Sequence, residues 1–191
     1  MWMIFRREIG QYFVSPVAYL IGFAFLLLTG LLFNSDLTFS IGVKAADPAI
    51  IPFYLSFFMI FFAPVLTMRM LAEESREGTL ELLLTAPVSE TEIVFGKFLA
   101  AWGFFSLLLL LTGVYQIILI LIPAGPDMGH AISSYIGIWL YGGATLAVGL
   151  FFSSLTENQI VAAFLSIATL AMLWLGDLAG EVVASIDLAR I

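Results

Sequence analysis

Five stretches of this chain run without an aspartate, glutamate, lysine or arginine for long enough to cross a lipid bilayer: residues 17–33, 50–68, 98–122, 132–155 and 159–175. A span needs about 20 apolar residues. Each span must be a helix, because an open strand in hydrocarbon would leave its N–H and C=O groups unpaired, and strand-like alternation is absent from all five. The predicted fold class is an all-α polytopic membrane protein with five transmembrane helices. Composition agrees: 62% of the 191 residues are hydrophobic and mean hydropathy is +1.09, against an apolar fraction of about 45–50% in soluble domains. No length remains for a soluble catalytic domain.

The residue types exclude several functions. The chain has no cysteine and a single histidine, His130, so thiolate metal sites, cysteine nucleophiles and histidine metal clusters are ruled out. A net charge of -7 argues against nucleic acid, which requires basic patches. Ion-coupled transport and intramembrane proteolysis need ionisable side chains at membrane depth, and the five stretches have none. Their polar residues, among them Ser56, Ser106, Thr112, Gln116, Thr145, Ser166 and Thr169, are expected to bond helix to helix. A channel lacks its ring of charges. The only Gly-Lys pair, Gly96-Lys97, precedes Phe98 and has no glycine five residues earlier, so the chain carries no phosphate-binding loop. It is expected to be no enzyme and to bind no cofactor or metal.

Basic residues orient the spans. With the N-terminus in the cytoplasm, Arg6, Arg7, Arg69, Arg76 and Lys97 lie inside, and only Lys44 and Arg190 lie outside. The loop of Asp36, Lys44 and Asp47 and the Pro-Ala-Gly-Pro turn at 123–126 are then external, as is a C-terminal tail with Asp177, Glu181 and Asp187. The turn at Thr156, Glu157 and Asn158 is internal. Residues 1–14 mix Trp2, Ile4, Phe5, Ile9, Tyr12 and Phe13 with Arg6, Arg7, Glu8 and Gln11, the pattern of an interfacial elbow helix with Arg6 and Arg7 toward anionic headgroups. Ser15-Pro16 turns the chain into the bilayer. Small residues on the fourth span (Gly142, Gly143, Ala147, Gly149, Ser153) and on the fifth (Ala162, Ala163, Ser166) predict close packing of these two helices; a dimer seam or a transport path is the sharper reading.

The densest charge lies in residues 69–97, which hold nine of the 21 charged residues, 7 basic and 14 acidic. Residues 70–77 read as a short helix continuing from the second span and stopped by Gly78. Thr79 caps a second short helix over 80–84 with Glu81 in its first turn, and Pro87 ends it. Ser89-Glu-Thr-Glu92 is a capping box that opens a third helix leading into the third span. Leu80, Leu82, Leu83 and Leu84 are too apolar for so short a helix to hide alone. They sink into the membrane interface or enter a groove on another protein, and composition does not choose between the two.

RMLAEESREGTLELLLTAPVSETEIVFGKFLAA, residues 69–101, resembles the signature region of ABC-2-type permeases, particularly the small gliding-motility-like bacterial members, in which E-x-x-x-G-T-x-E-x-L-L-x-x-P-V-S follows the second span. FRREIGQYFVSPVAY resembles their N-terminal elbow, and GLFFSSLTENQIVAAFLS their fourth-to-fifth turn; the three segments occur in the family's order. The resemblance implies a single transmembrane domain over 1–191 that is the permease subunit of an ATP-binding-cassette transporter in a bacterial plasma membrane. It also implies a second permease copy and a separate cytoplasmic ATPase that holds ATP and magnesium. By position, Glu73, Glu74, Glu77, Gly78, Thr79, Leu80, Glu81, Leu83 and Leu84 become the ATPase-coupling segment. Thr156, Glu157, Asn158 and Gln159 become a lesser cytoplasmic contact. The family usually has six spans, and the five found here predict a C-terminally truncated chain. The alternative function is a non-transporting scaffold that anchors a cytoplasmic complex through the same insert.

Overall fold

The structure, a computed structural model, describes residues 2–40, 47–79, 89–121 and 127–188, and the described residues contain helices and no strand. In chain order the helices are α1 (Trp2–Val14), α2 (Pro16–Ser40), α3 (Ile50–Thr67), α4 (Ala72–Arg76), α5 (Glu90–Ile120), α6 (Met128–Leu155) and α7 (Gln159–Leu188). Five of them, α2, α3, α5, α6 and α7, are long and apolar enough to cross a membrane. The turn at 123–126, Lys44, Arg190 and the predicted helix over 80–84 lie outside the described residues.

Several boundaries differ from the sequence expectation for identifiable reasons. The short helix expected over 70–77 is present as α4, set off from α3 by a turn. The chain turns at Met68–Leu71 before α4 begins, with Met68 N–H bonded to the Pro64 carbonyl and Met70 N–H to that of Thr67. The helix expected to open at the Ser89 capping box does lead into the third span. Ser89 Oγ accepts from Glu92 N–H while the Glu92 carboxylate accepts from Ser89 N–H, and from that box α5 runs unbroken to Ile120. The expected C-terminal tail is helical, because α7 continues to Leu188.

The connections alternate between the two ends of the bundle, as crossings require. At one end lie α4, the start of α5 and the 156–158 turn. At the other, Gln116 Nε2 donates to the Pro48 carbonyl at 2.8 Å, Asp127 Oδ1 caps α6 by accepting from Gly129 N–H, and His130 stands 3.8 Å from Asp47. Helix α1 lies across the first turns of α5 at the insert end. Trp2 borders Trp102 and Trp139 on α5 and α6, Ile4 covers Gly96 so closely that no Cβ fits there, and Tyr12 stacks on Phe104 with ring centroids 4.9 Å apart.

The tightest seam joins α3 to α6, and α5 closes over it. Leu55, Met59, Ala63 and Leu146 are fully buried there. A Cβ on Gly149 would collide with Thr67 Oγ1, and one on Gly142 with the Phe105 ring. The small residues of the fourth span therefore serve its contacts with α3 and α5. The expected seam with α7 does form, through a helix on which Ala162 and Ser166 are buried. The reason is size: glycine is needed where a helix meets Thr67, Phe105 and Trp102, not where it meets alanine and serine.

Of the polar residues expected to bond between helices, Ser106 accepts from Trp139 Nε1 at 2.8 Å, Thr112 meets Tyr135 Oη at 3.2 Å, and Gln116 reaches Pro48. Ser56, Thr145 and Ser166 instead return their hydroxyls to carbonyls one turn earlier, the partner a helix always offers.

Gly149→Ala should destabilise the protein by roughly 1–3 kcal/mol through overpacking at Thr67. Gly137→Ala, with nothing within 4 Å of the new methyl, should stabilise it by up to about 1 kcal/mol. Thermal unfolding in detergent reads both, and equal signs for the two variants would refute the α3–α6 contact.

Candidate functional site: a charged junction at the insert end

Lys97 sits two turns into α5, in a helix that carries no charge from Phe98 onward, and its side chain is 1% exposed. An ammonium so placed loses several kcal/mol of hydration. Its partners come from two other elements: Nζ lies 2.9 Å from Glu74 Oε1 on α4 and 3.3 Å from Glu8 Oε1 on α1. Arg7 adds a second cation, with Nη2 2.6 Å from Glu8 Oε1 and 2.8 Å from Glu74 Oε1. Two cations and two carboxylates thus neutralise one another at a point where three chain segments meet. Burial works against the Arg7 charge, but its bonds to Glu8 and Glu74 outweigh that, and its pKa is held above the ordinary arginine value.

Helical geometry explains why α1 can supply this site. Glu8 lies one turn from Ile4, which packs on Gly96, and one turn from Tyr12. All three face α5. Burial, and then the Glu8 charge, raises the Tyr12 phenol above its usual pKa. It remains a neutral donor, and Tyr12 Oη donates to the Leu66 carbonyl at 2.9 Å, tying α1 to the end of α3.

Toward α6, α4 is held by neutral bonds. Ser153, near the end of α6, donates from Oγ to the Met68 carbonyl at 3.0 Å and accepts from Leu71 and Ala72 N–H, each at 3.1 Å. One hydroxyl therefore satisfies three backbone groups left open by the turn between α3 and α4. Arg69 and Glu73 form a bidentate pair at 2.9 and 3.1 Å, and these bonds, with a lesser contribution from Gln159 at the start of α7, hold the Glu73 carboxyl below its usual pKa.

The structure brings together much of what the sequence singled out. Glu74 is part of the junction, Glu73 pairs with Arg69 beside it, and Glu77, Gly78 and Thr79 are exposed beyond it. Gly78 has φ +70°, the left-handed conformation suited to glycine, and Thr79 Oγ1 donates back to the Glu74 carbonyl at 3.3 Å. Leu80, Glu81, Leu83 and Leu84 lie outside the described residues. Thr156 and Asn158 shape the turn into α7, where Thr156 Oγ1 accepts from Asn158 N–H and Asn158 Oδ1 from Ile160 and Val161 N–H. Glu157 is exposed, and Gln159 is half-buried at the start of α7. Arg6 is exposed, whereas Arg7 spends its guanidinium on Glu8 and Glu74. Sequence reasoning missed Glu8, Lys97 and Ser153. The signal for Lys97 was available: a lone lysine at the apolar end of a capped helix requires anionic partners.

Lys97→Met should cost roughly 3–5 kcal/mol of stability, because it leaves Glu8 and Glu74 buried beside Arg7 alone. Adding Glu8→Gln should recover part of that loss. Ser153→Ala should cost roughly 1–3 kcal/mol by orphaning the turn's backbone groups. Thermal unfolding measures each, and a Lys97→Met protein that melts with the parent would show the junction to be energetically idle.

A family model described as "ABC-2 family transporter protein" matches residues 42–182. No curated protein and no solved structure matches the chain. The match spans α3 to most of α7 with the insert, and α1 and α2 precede it. With five membrane-crossing helices and a charged insert between α3 and α5, the chain belongs to the ABC-2 family of transporter proteins.

Proposed function

We propose that the chain is a permease subunit that moves substrate across a bacterial plasma membrane with energy from ATP hydrolysed on a separate cytoplasmic subunit, which holds the nucleotide and its magnesium. The permease works as a pair with a second copy, and its N-terminus and insert face the cytoplasm, with α1 in the membrane interface as an elbow. One observation carries the reading: the Lys97–Glu8–Glu74–Arg7 junction ties the base of the insert to α1 and α5. A push on the exposed tip at Glu77, Gly78 and Thr79 reaches those helices through bonds that cost several kcal/mol to break singly. Leu80, Glu81, Leu83 and Leu84 complete the surface that the ATPase grips, and the turn at Thr156, Glu157, Asn158 and Gln159 adds a lesser contact.

ATP binding closes the paired ATPases and draws the two inserts together. The spans follow, because the insert binds one ATPase conformation better than the other, and that difference is the only source of work.

Gly78→Val combined with Glu81→Lys tests the coupling surface. The left-handed backbone costs a β-branched residue roughly 1–2 kcal/mol, so recovery of the co-expressed ATPase on the tagged permease should fall about tenfold or more while the five-span protein still inserts and melts normally. Undiminished ATPase recovery counts against the assignment, and recovery of a different cytoplasmic partner would favour a scaffold.

A further inference from the structure

Helices α1, α5 and α6 border a half-open groove of about 500 Å³, walled by Trp2 and Phe5, by Leu99, Trp102 and Ser106, and by Trp139. Three of the chain's four tryptophans thus line one volume. The polar atoms of its wall are spent on one another. Trp102 Nε1 donates to the Trp139 carbonyl at 3.2 Å, Trp139 Nε1 donates to Ser106 Oγ at 2.8 Å, and Ser106 Oγ donates to the Trp102 carbonyl at 2.7 Å. That closed ring of bonds holds the two indoles stacked with centroids 4.4 Å apart. On the α1 side, Trp2 stacks on Phe5 at 5.3 Å.

Elimination leaves one chemistry for the occupant. No charged side chain among the described residues lines the groove, so a cationic group would gain roughly 2 kcal/mol from an indole face against a desolvation cost of several kcal/mol. A ligand with hydroxyls or carbonyls would leave its hydrogen bonds to water behind and find none here, at about 1–3 kcal/mol each. Water fails for the same reason, since it needs several polar partners. What remains is hydrocarbon, and its source adjoins the groove. Helices α5 and α6 are long and apolar enough to cross the membrane; Leu110, one turn beyond Ser106, and Ile136, one turn before Trp139, are exposed, so the groove is continuous with lipid-facing surface. Trp102 and Ser106 also lie about 8 and 14 Å beyond Lys97 along α5 at 1.5 Å per residue, the depth of acyl chains and not of headgroups.

We propose that this groove seats one acyl chain of a phospholipid from the leaflet at the insert end, laid between Trp2 and Phe5 on one side and Trp102 and Trp139 on the other. Dispersion contacts with rings on both sides hold it, whereas a lipid on the outer surface touches protein on one side only. The chain thereby bridges the first turns of α1 to α6. The site is independent of how the transporter is energised.

The test reconstitutes the full chain in phosphatidylcholine vesicles that carry a trace of the same lipid with a photoreactive diazirine midway along one acyl chain. Labelled residues are mapped by peptide mass spectrometry. Simple contact with bulk lipid would label in proportion to exposure, and so most strongly at Leu110, which is 73% exposed. A seated chain should instead label the half-buried Phe5, Leu99 and Trp102 about fivefold more than Leu110. Gly103→Leu, whose side chain enters beside Ile9 and Phe5, and Leu99→Trp should each bring that labelling below the level at Leu110. Labelling that follows exposure overturns the proposal, as does groove labelling that survives both substitutions. A diazirine on the headgroup that labels Leu99 or Trp102 overturns the acyl chain as occupant. Loss of groove labelling on adding equimolar cholesterol does the same, and makes the occupant a rigid polycycle. Should Gly103→Leu fail to fold, Leu99→Trp and the labelling ratio in the unaltered protein decide the matter.

Discussion

A lysine ammonium cannot sit almost fully buried at the mouth of a membrane helix unless carboxylates are brought to it, and much of the architecture at the insert end serves that need. Glu8 arrives because α1 crosses α5 at Gly96 instead of leading straight into α2. Glu74 arrives because the chain turns at Met68–Leu71 and starts a new helix. Each displacement leaves backbone groups to satisfy, and Tyr12 and Ser153 do so at Leu66, Met68, Leu71 and Ala72. Removing the lysine would therefore remove the reason for the position of two other elements. A buried ion group of this kind often contributes less to stability than an apolar substitute would. What it does supply is a fixed spatial relation among α1, α4 and α5.

The membrane-embedded part obeys a different logic. Lipid offers no hydrophobic gain for helix association, so close contact has to come from shape. The α3–α6 seam meets that demand with glycine against threonine and alanine, and the hydroxyls along it turn back to their own helices. Cross-helix polar bonds concentrate instead on α5, through Ser106 and Thr112 to α6 and Gln116 to Pro48. Helix α5 thus carries Lys97 at one end and bonds to α6 and to the start of α3 further along.

How much of this was legible in the sequence follows from which constraints are local. The spans were legible because hydrocarbon forbids charge over a whole turn-by-turn stretch, and Ser89 to Glu92 was legible because a capping box is complete within four residues. Gly78 was placed correctly for the same reason. The junction was not, because Glu8, Glu74 and Lys97 are far apart in the chain and their pairing depends on where α1 crosses. Arg7 shows the cost of reasoning from composition: its charge suggested lipid headgroups, while geometry gives it Glu8 and Glu74. The small residues of the fourth span announced close packing without naming the neighbour, since a glycine states only that something large comes near. The break at Met68 was missed because Pro64 sits one turn inside the helix, where its effect on where the helix ends depends on the turn that follows.

The two sides of α4 differ in kind, and that difference bears on how a displacement would spread. Toward α1 and α5 the insert is held by ions, the buried Lys97 and Glu8 with Glu74 and the 44% exposed Arg7, which tolerate small changes of distance, because Coulomb attraction falls off gradually. Toward α6 it is held by one serine making three directional bonds, which weaken steeply once angles are lost. A modest rotation of α4 would therefore keep its grip on α1 and α5 while loosening the Ser153 staple.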